Sequence, residues 1–313
     1  MKLKTLDYLI CPACLPEEAE LSLGHAQIAF DEVDEGVLEC NRCGHAYRIE
    51  KGVADITVRH AGTRGKGLPR YEEPDLLSAY LWSHYADLFE DPDSTGAYAG
   101  WAELIAPASG AALDAGCATG RFSFEMSRKC EFVIGVDLSE NFIRAARRIM
   151  RDRRLIFQIR EEGRIYSDRT FVLPPGWDSE KVEFLVADAA TLPFRSGCFA
   201  CVASLNLLDK IARPLQHVRE ADRAARPAGA QLLIADPFSW SEEVCDSGMW
   251  LGGTDCGRFA GAAIDNISRL LSGEDAMAGP AWEIARKGEI WWKIRNHRNH
   301  FELIRSLFVK AQR

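Results

Sequence analysis

Short apolar runs, each closed by an acid, set the rhythm of the middle of this chain. Ala111-Ala-Leu113 ends in Asp114, Val133-Ile-Gly-Val136 in Asp137, and Phe184-Leu-Val-Ala187 in Asp188. Runs of this length and evenness read as strands buried on both faces of a parallel sheet. Phe199 to Leu205 and Leu232 to Ala235 continue the series as strands four and five. Between them the period changes to that of a helix. Leu76 to Leu88 spaces its apolar residues helically, and Ser139 stands as cap before a helix over Glu140 to Asp152. Arg144, Arg147, Arg148 and Arg151 on that helix are read as a solvated face. Leu155 to Ile159, Glu161-Glu-Gly163 and Arg164 to Tyr166 predict an inserted hairpin. The first fifty residues alternate differently. Ala19–Leu23, Val37–Cys40 and Ala46–Ile49 are the strands of a small antiparallel ribbon. Arg59 to Pro74, with Gly62, Gly65, Gly67 and Pro69, is aperiodic and reads as a linker. The expected division is therefore ribbon 1–58, linker 59–75, and an α/β domain over 76–313.

The 313 residues, 47% hydrophobic and 27% charged, suit an α/β domain with a smaller companion. No apolar run approaches the length of a membrane span, and the run after Met1-Lys-Leu-Lys4 stops at Cys11-Pro12, short of a signal peptide. A cytoplasmic location with no membrane partner is expected. The net charge of −8 argues against wholesale nucleic-acid binding. It is unevenly spread: residues 1–58 carry five basic against eleven acidic residues, residues 286–313 eight against two. Complementary or solvated surfaces account for that first, with a tail that meets an anionic substrate group as the sharper alternative.

Chemistry enters at the turn Asp114-Ala-Gly116-Cys-Ala118-Thr-Gly120. A pyrophosphate loop would want glycine at Ala118 and no carboxylate beside the phosphates. Asp114 suits a cationic amino-acid moiety instead. S-adenosylmethionine offers an ammonium, a sulfonium and no phosphate. Asp137 is placed to accept ribose hydroxyls and Asp188 an adenine amino group. Asn206, at the end of strand four, faces the sulfonium and the incoming acceptor with an uncharged amide. Tyr80 or Tyr85 of the leading helix is a candidate cover for the methionine end. Cys11-Pro-Ala-Cys14 and Cys40-Asn-Arg-Cys43 are paired knuckles, a closed tetrahedral set for structural zinc. The remaining cysteines read as buried small hydrophobes or unpaired thiols.

Those residues carry three resemblances. Leu113–Gly120, Gly135–Ser139, Ala187–Phe194, Phe199–Leu208 and Arg226–Asp236 resemble the class I S-adenosylmethionine-dependent methyltransferases over about residues 76–240, Ala118 being the departure. That resemblance implies a doubly wound seven-stranded sheet. The cofactor contacts it implies are Asp114, Gly116, Gly120, Asp137, Leu138, Asp188, Ala189, Asn206 and Tyr85. Glu39 to Asp55 resembles the zinc-ribbon partner family that stabilises several methyltransferases, which implies a supporting role for residues 1–57. Residues 110–313, through Glu161-Glu-Gly163, Asn206-Leu-Leu-Asp209, Pro237–Glu243 and Trp250–Gly253, are similar to the methyltransferase domain of ovothiol biosynthesis, which N-methylates a thiohistidine. The departures are the zinc ribbon, the absent sulfoxide-synthase portion and the Trp291–His300 tail.

The expected activity is methyl transfer to a small heteroaromatic or amino-acid-like acceptor at nitrogen. The pocket walls are expected from Phe238, Trp240 and Trp250 on one side and the Trp291–Phe301 segment on the other. Asn206, His297 and His300 are the candidate catalytic groups, the two histidines expected to share a helical face. An RNA or protein methyltransferase using the ribbon as a platform is the first alternative. It lacks the Pro-Pro-Tyr-type step of exocyclic-amine enzymes after strand four and a basic aromatic stripe. A non-catalytic scaffold is the second, opposed by the intact Asp114, Asp137 and Asp188. Acceptor identity and oligomeric state are not written in these residues.

Overall fold

The computed structural model describes residues 1–58, 71–274, 277 and 279–313. The amino-terminal strands β1 (Leu21–Ala29), β2 (Glu32–Cys40), β3 (Ala46–Glu50) and β4 (Val53–Ala54) form one antiparallel sheet in that order. The predicted linker over 59–70 lies outside the described residues. Its last few positions are packed: the Tyr71 ring meets Phe142 edge-on at 6.1 Å, and the Asn141 side chain donates to the Glu72 carbonyl at 2.8 Å.

Helices α1 (Pro74–Tyr85) and α2 (Ala97–Glu103) precede the main sheet. Then come β5 (Ala111–Ala115), α3 (Arg121–Met126), β6 (Phe132–Asp137), α4 (Glu140–Asp152), the hairpin β7 (Arg154–Glu162) and β8 (Ile165–Val172), and β9 (Val182–Val186). The chain ends with β10 (Phe199–Leu205), α5 (Pro214–Ala224), β11 (Gln231–Asp236), α6 (Ala263–Arg269), β12 (Glu283–His297) and β13 (His300–Gln312). The main sheet has seven strands in the order β12-β13-β11-β10-β5-β6-β9. Only β13 runs against the rest, pairing antiparallel with β11 and β12. This is the doubly wound seven-stranded class I methyltransferase sheet that the motifs predict. The chain reverses its direction of growth between β5 and β10, and the carboxyl ends at such a switch form the binding crevice.

The inserted hairpin forms as predicted, a separate two-stranded sheet packed on α1, with Tyr85 stacked on Phe171 at 4.3 Å. One element differs from expectation. The Trp291–Phe301 segment is strand, not helix, and His297 pairs across the hairpin with His300. Ile290, Trp292 and Ile294 fall on one face and Trp291 on the other, a period of two that decides the conformation.

The ribbon covers the open edge at β9. The Ile56 amide donates to the Val186 carbonyl at 2.8 Å, and Ile10 to Pro193 at 2.9 Å. Arg147 is buried here rather than solvated. It pairs with the wholly buried Glu183 and, at 3.2 Å, with Glu32 of the ribbon. Ribbon residues Leu9, Val33, Leu38 and Ile49 belong to one apolar core with β5, β6 and β10. Among the described residues no helix is long and apolar enough to cross a membrane.

Candidate active site

Register puts the three acids side by side. Asp114 pairs with Gly135 across β5 and β6, and Asp137 with Val186 across β6 and β9, so Asp188 stands two residues beyond Asp137's partner. Ser204 pairs with Ala115, which sets Asn206 just past the tip of β5. All four lie along one carboxyl edge.

Asp114 is 2% exposed and accepts from the Ser123 hydroxyl at 2.6 Å. Burial pushes its carboxyl up to about 7, against the Ser123 hydrogen bond. The loop after it needs two of its glycines. Gly116 (φ 78°) and Gly120 (φ 86°) are left-handed, and a Cβ would lie 2.7 Å from the Leu207 side chain and 2.4 Å from Phe184 respectively. Ala118 takes φ 45° between them and turns its amide to Asp137 at 3.0 Å. The Ser139 amide donates to the other Asp137 oxygen at 2.9 Å. Enclosure raises Asp137 to about 6 in spite of both amides. The loop and the second strand tip are thus one hydrogen-bonded unit.

Leu138, beside Asp137, is 39% exposed, an apolar surface open at the strand tip. Asp188 accepts from the Ala190 amide at 2.8 Å and faces Arg213 at 3.4 Å. Ala189 is buried, its carbonyl 3.0 Å from His217 Nδ1. Tyr85 is wholly buried and donates its hydroxyl to the Thr119 carbonyl at 2.7 Å, bracing the loop from behind. Tyr80 is half-buried and packs on Phe142 at 4.9 Å.

Asn206 has φ 56°, a left-handed conformation that asparagine tolerates. Its amide orientation follows from a relay across the sheet. The Trp292 indole can only donate, and does so to the Ser306 hydroxyl at 2.9 Å; the Ser306 hydroxyl in turn donates a hydrogen bond to Asn206 Oδ1. Asn206 Nδ2 is left buried with no partner among the described residues. Phe238, Trp240 and Trp250 come together as a stack, with centroids 6.2 and 6.3 Å apart. His297 and His300 sit at the turn of the β12–β13 hairpin, hydrogen-bonded within it to Asn299 and Asn296. His300 lies six residues beyond Ser306, about 20 Å at the rise of a strand. No hydrogen bond or ring contact among the described residues joins either histidine to Asp114, Asp137, Asp188 or Asn206; their rings meet each other at 5.5 Å.

Sequence reasoning passed over the pair Asp209 and Asp236. Both are buried, and Asp236 accepts from the Leu208 amide at 2.8 Å and the Phe238 amide at 2.7 Å. The Asn206-x-x-Asp209 spacing was its available signal; the contact with Asp236 was not, because it joins two loops. The Ser306 relay had none.

In the ribbon, the four sulfurs of Cys11, Cys14, Cys40 and Cys43 lie within 4.8 Å of one another. Two of the separations, Cys11–Cys43 and Cys14–Cys40, are 3.7 Å. Zinc–sulfur bonds of about 2.3 Å in a tetrahedron give edges near that value, so the set fits zinc. The Arg42 and Cys43 amides both point at Cys40 Sγ, at 3.4 Å, and the Tyr47 hydroxyl lies 3.1 Å from Cys11 Sγ. Such contacts support thiolate charge.

Residues 113–233 match the methyltransferase domain family, and residues 2–52 match the Trm112p-like protein family. The two matches follow one another along the chain, the Trm112p-like one on the ribbon and the methyltransferase-domain one on strands β5 to β11. An uncharacterized chloroplastic methyltransferase of Arabidopsis thaliana is 28% identical over 258 residues, 74% of this chain and 63% of that protein. The chain thus spans less than two thirds of that relative's length. Among solved structures, a methyltransferase from Methanosarcina mazei is 19% identical, covering 65% of this chain and 92% of its own, with TM-score 0.42. One from Aquifex aeolicus is 14% identical, covering 76% and 97%, with TM-score 0.44. Phosphoethanolamine N-methyltransferase 2 of Haemonchus contortus, in complex with S-adenosyl-L-methionine, is 19% identical, covering 61% and 37%, with TM-score 0.41.

Proposed function

We propose that the chain transfers a methyl group from S-adenosylmethionine to a small heteroaromatic or amino-acid-like acceptor, at nitrogen. The observation that carries this reading is the row of carboxylates at adjacent strand tips around the glycine loop. Asp114, buried with a hydroxyl and, among the described residues, no cation, calls for a positive group such as the cofactor's ammonium. Asp137 holds each oxygen on one backbone amide, and each keeps a lone pair for a ribose hydroxyl. Asp188, Leu138 and Ala189 would frame the adenine. When bound, the cofactor supplies an electrophilic methyl on a sulfonium. The chain's part is to align the acceptor with it and to keep water out, which suits an in-line displacement.

The stacked Phe238, Trp240 and Trp250 beside the tip of β11 favour a flat acceptor. The likeness of residues 110–313 to thiohistidine N-methylation points the same way. The −6 charge of residues 1–58 favours a bracing ribbon over an RNA grip. Zinc, held by Cys11, Cys14, Cys40 and Cys43, would be structural. Isothermal titration with S-adenosylhomocysteine tests the cofactor reading. Saturable 1:1 binding is expected, and its absence ends the assignment.

A further inference from the structure

Two surfaces of opposite charge sit at opposite poles of the chain, too far apart to meet each other. The main sheet runs from β12 to β9, and the ribbon is fastened beyond β9. Six strand spacings of about 4.8 Å put roughly 29 Å between the carboxyl-terminal hairpin and the ribbon's side of the sheet. The poles also lie at opposite ends of the strands. Lys2, bridged to Glu32 beside the β1–β2 turn, donates to the Ser179 carbonyl at 3.0 Å, just before β9 begins. Trp291, Leu303 and Arg305 lie past Leu307, which pairs with Asp236 at the carboxyl end of β11.

Each pole exposes apolar side chains amid charge of one sign. Phe30 is wholly exposed at the β1–β2 turn, and it and Asp31 are both left-handed, at φ 50° and 61°. Such turns favour asparagine and glycine, and a bulky ring is strained there. No ring contact among the described residues offsets that strain for Phe30. Ile28, two residues earlier, is exposed as well, and so are the acids Asp31 and Asp34. At the other pole Trp291 and Leu303 are exposed on the hairpin face turned away from Trp292. Register sets Arg305 opposite Trp291 and Lys293 opposite Leu303, and the Arg305 guanidinium lies over the Trp291 ring at 5.6 Å. Residues 1–58 hold eleven acids against five bases, residues 286–313 two against eight.

We propose that the Phe30 turn of one copy of this chain docks on the Trp291–Leu303–Arg305 patch of a second copy. The two surfaces differ, so the contact is head-to-tail. A pair formed this way leaves one turn and one patch free, and further copies can add. The apolar groups supply contact area, while opposite charge sets the orientation and makes the association sensitive to salt. This contact is independent of the methyl-transfer reading.

Sedimentation velocity of the full-length protein tests it, over about 1–100 μM protein in about 50 mM salt. The mean mass is expected to rise with concentration past two chains, and to fall back when the salt is raised to about 0.5 M. Phe30→Gly suits the backbone of the turn, so it is expected to melt no lower than the unaltered protein and to stay monomeric. Leu303→Glu is expected to be monomeric too, with Arg305→Glu in its place should that variant fold poorly. Phe30→Gly keeps the patch and Leu303→Glu keeps the turn, so an equal mixture of the two is expected to form pairs and nothing larger. A monomeric unaltered protein, a mass that levels off at two chains, association that survives in Phe30→Gly, or a mixture that stays monomeric each overturns the proposal. The second of these results marks a symmetric dimer, and the first leaves the two surfaces to a different partner.

Discussion

Asp114 is a buried acid whose titration links folding to pH. Its folded carboxyl, at about 7, lies above the ordinary unfolded value near 4. The folded chain therefore binds more protons than the unfolded chain across that interval. Asp114's contribution is fully present below about pH 4 and is lost as the pH rises to about 7. Thermal melts of the free protein should show the difference between unaltered protein and Asp114→Asn growing in the variant's favour between pH 5 and pH 8. A constant difference would remove Asp114 from that role. Asp137→Ala should weaken S-adenosylhomocysteine binding by about 1–3 kcal/mol through a lost charged hydrogen bond, measured by titration. Both acids were legible from the chain alone because each closes an apolar run, and register across a parallel sheet does the rest. Asn206 was legible as a position but not as an orientation. Its partner Ser306 lies 100 residues away, and only the folded hairpin brings the two together.

At the scale of elements, legibility followed the strength of the local signal. Helix α4 matches its predicted span, Glu140–Asp152, because Ser139 caps it through the Phe142 amide and Arg153 ends it at φ 53°. The central strands match because they are buried on both faces. The carboxyl-terminal hairpin was missed: Trp291 to His300 is rich in charge and bulky rings, and its alternation shows only once Trp292 is known to face Trp101. The histidines went astray with it, since three residues apart means one face on a helix but a turn on a hairpin. The ribbon is the element where chemistry and folding are one question. Four thiolates this close repel unless a metal holds them. Cys40→Ser should lose bound zinc, measured by metal analysis, and lower the melting temperature of the whole chain. Full zinc content in that variant would contradict the quartet.

For the whole molecule, the ribbon's place on the sheet matters more than its four cysteines. An open β9 edge would be a template for pairing with other chains, and β4 and its following residues cover it. The cover is fastened by charge. Glu183, on β9, receives Arg147 from α4 and the Lys2 amide from the ribbon, while Glu32 takes Arg147's other arm at 3.2 Å. A buried pair of this kind contributes little net stability against apolar residues of the same size, but removing one partner strands the other. Glu183→Leu alone should therefore cost about 3 kcal/mol in denaturant unfolding, with Arg147 left half-satisfied by Glu32. Adding Arg147→Met should recover most of that loss. Recovery would identify the pair as a registration device that decides where the ribbon sits, with the apolar contacts of Leu9, Val33 and Leu38 holding it there. A single variant as stable as the unaltered chain would show instead that those apolar contacts alone set the docking.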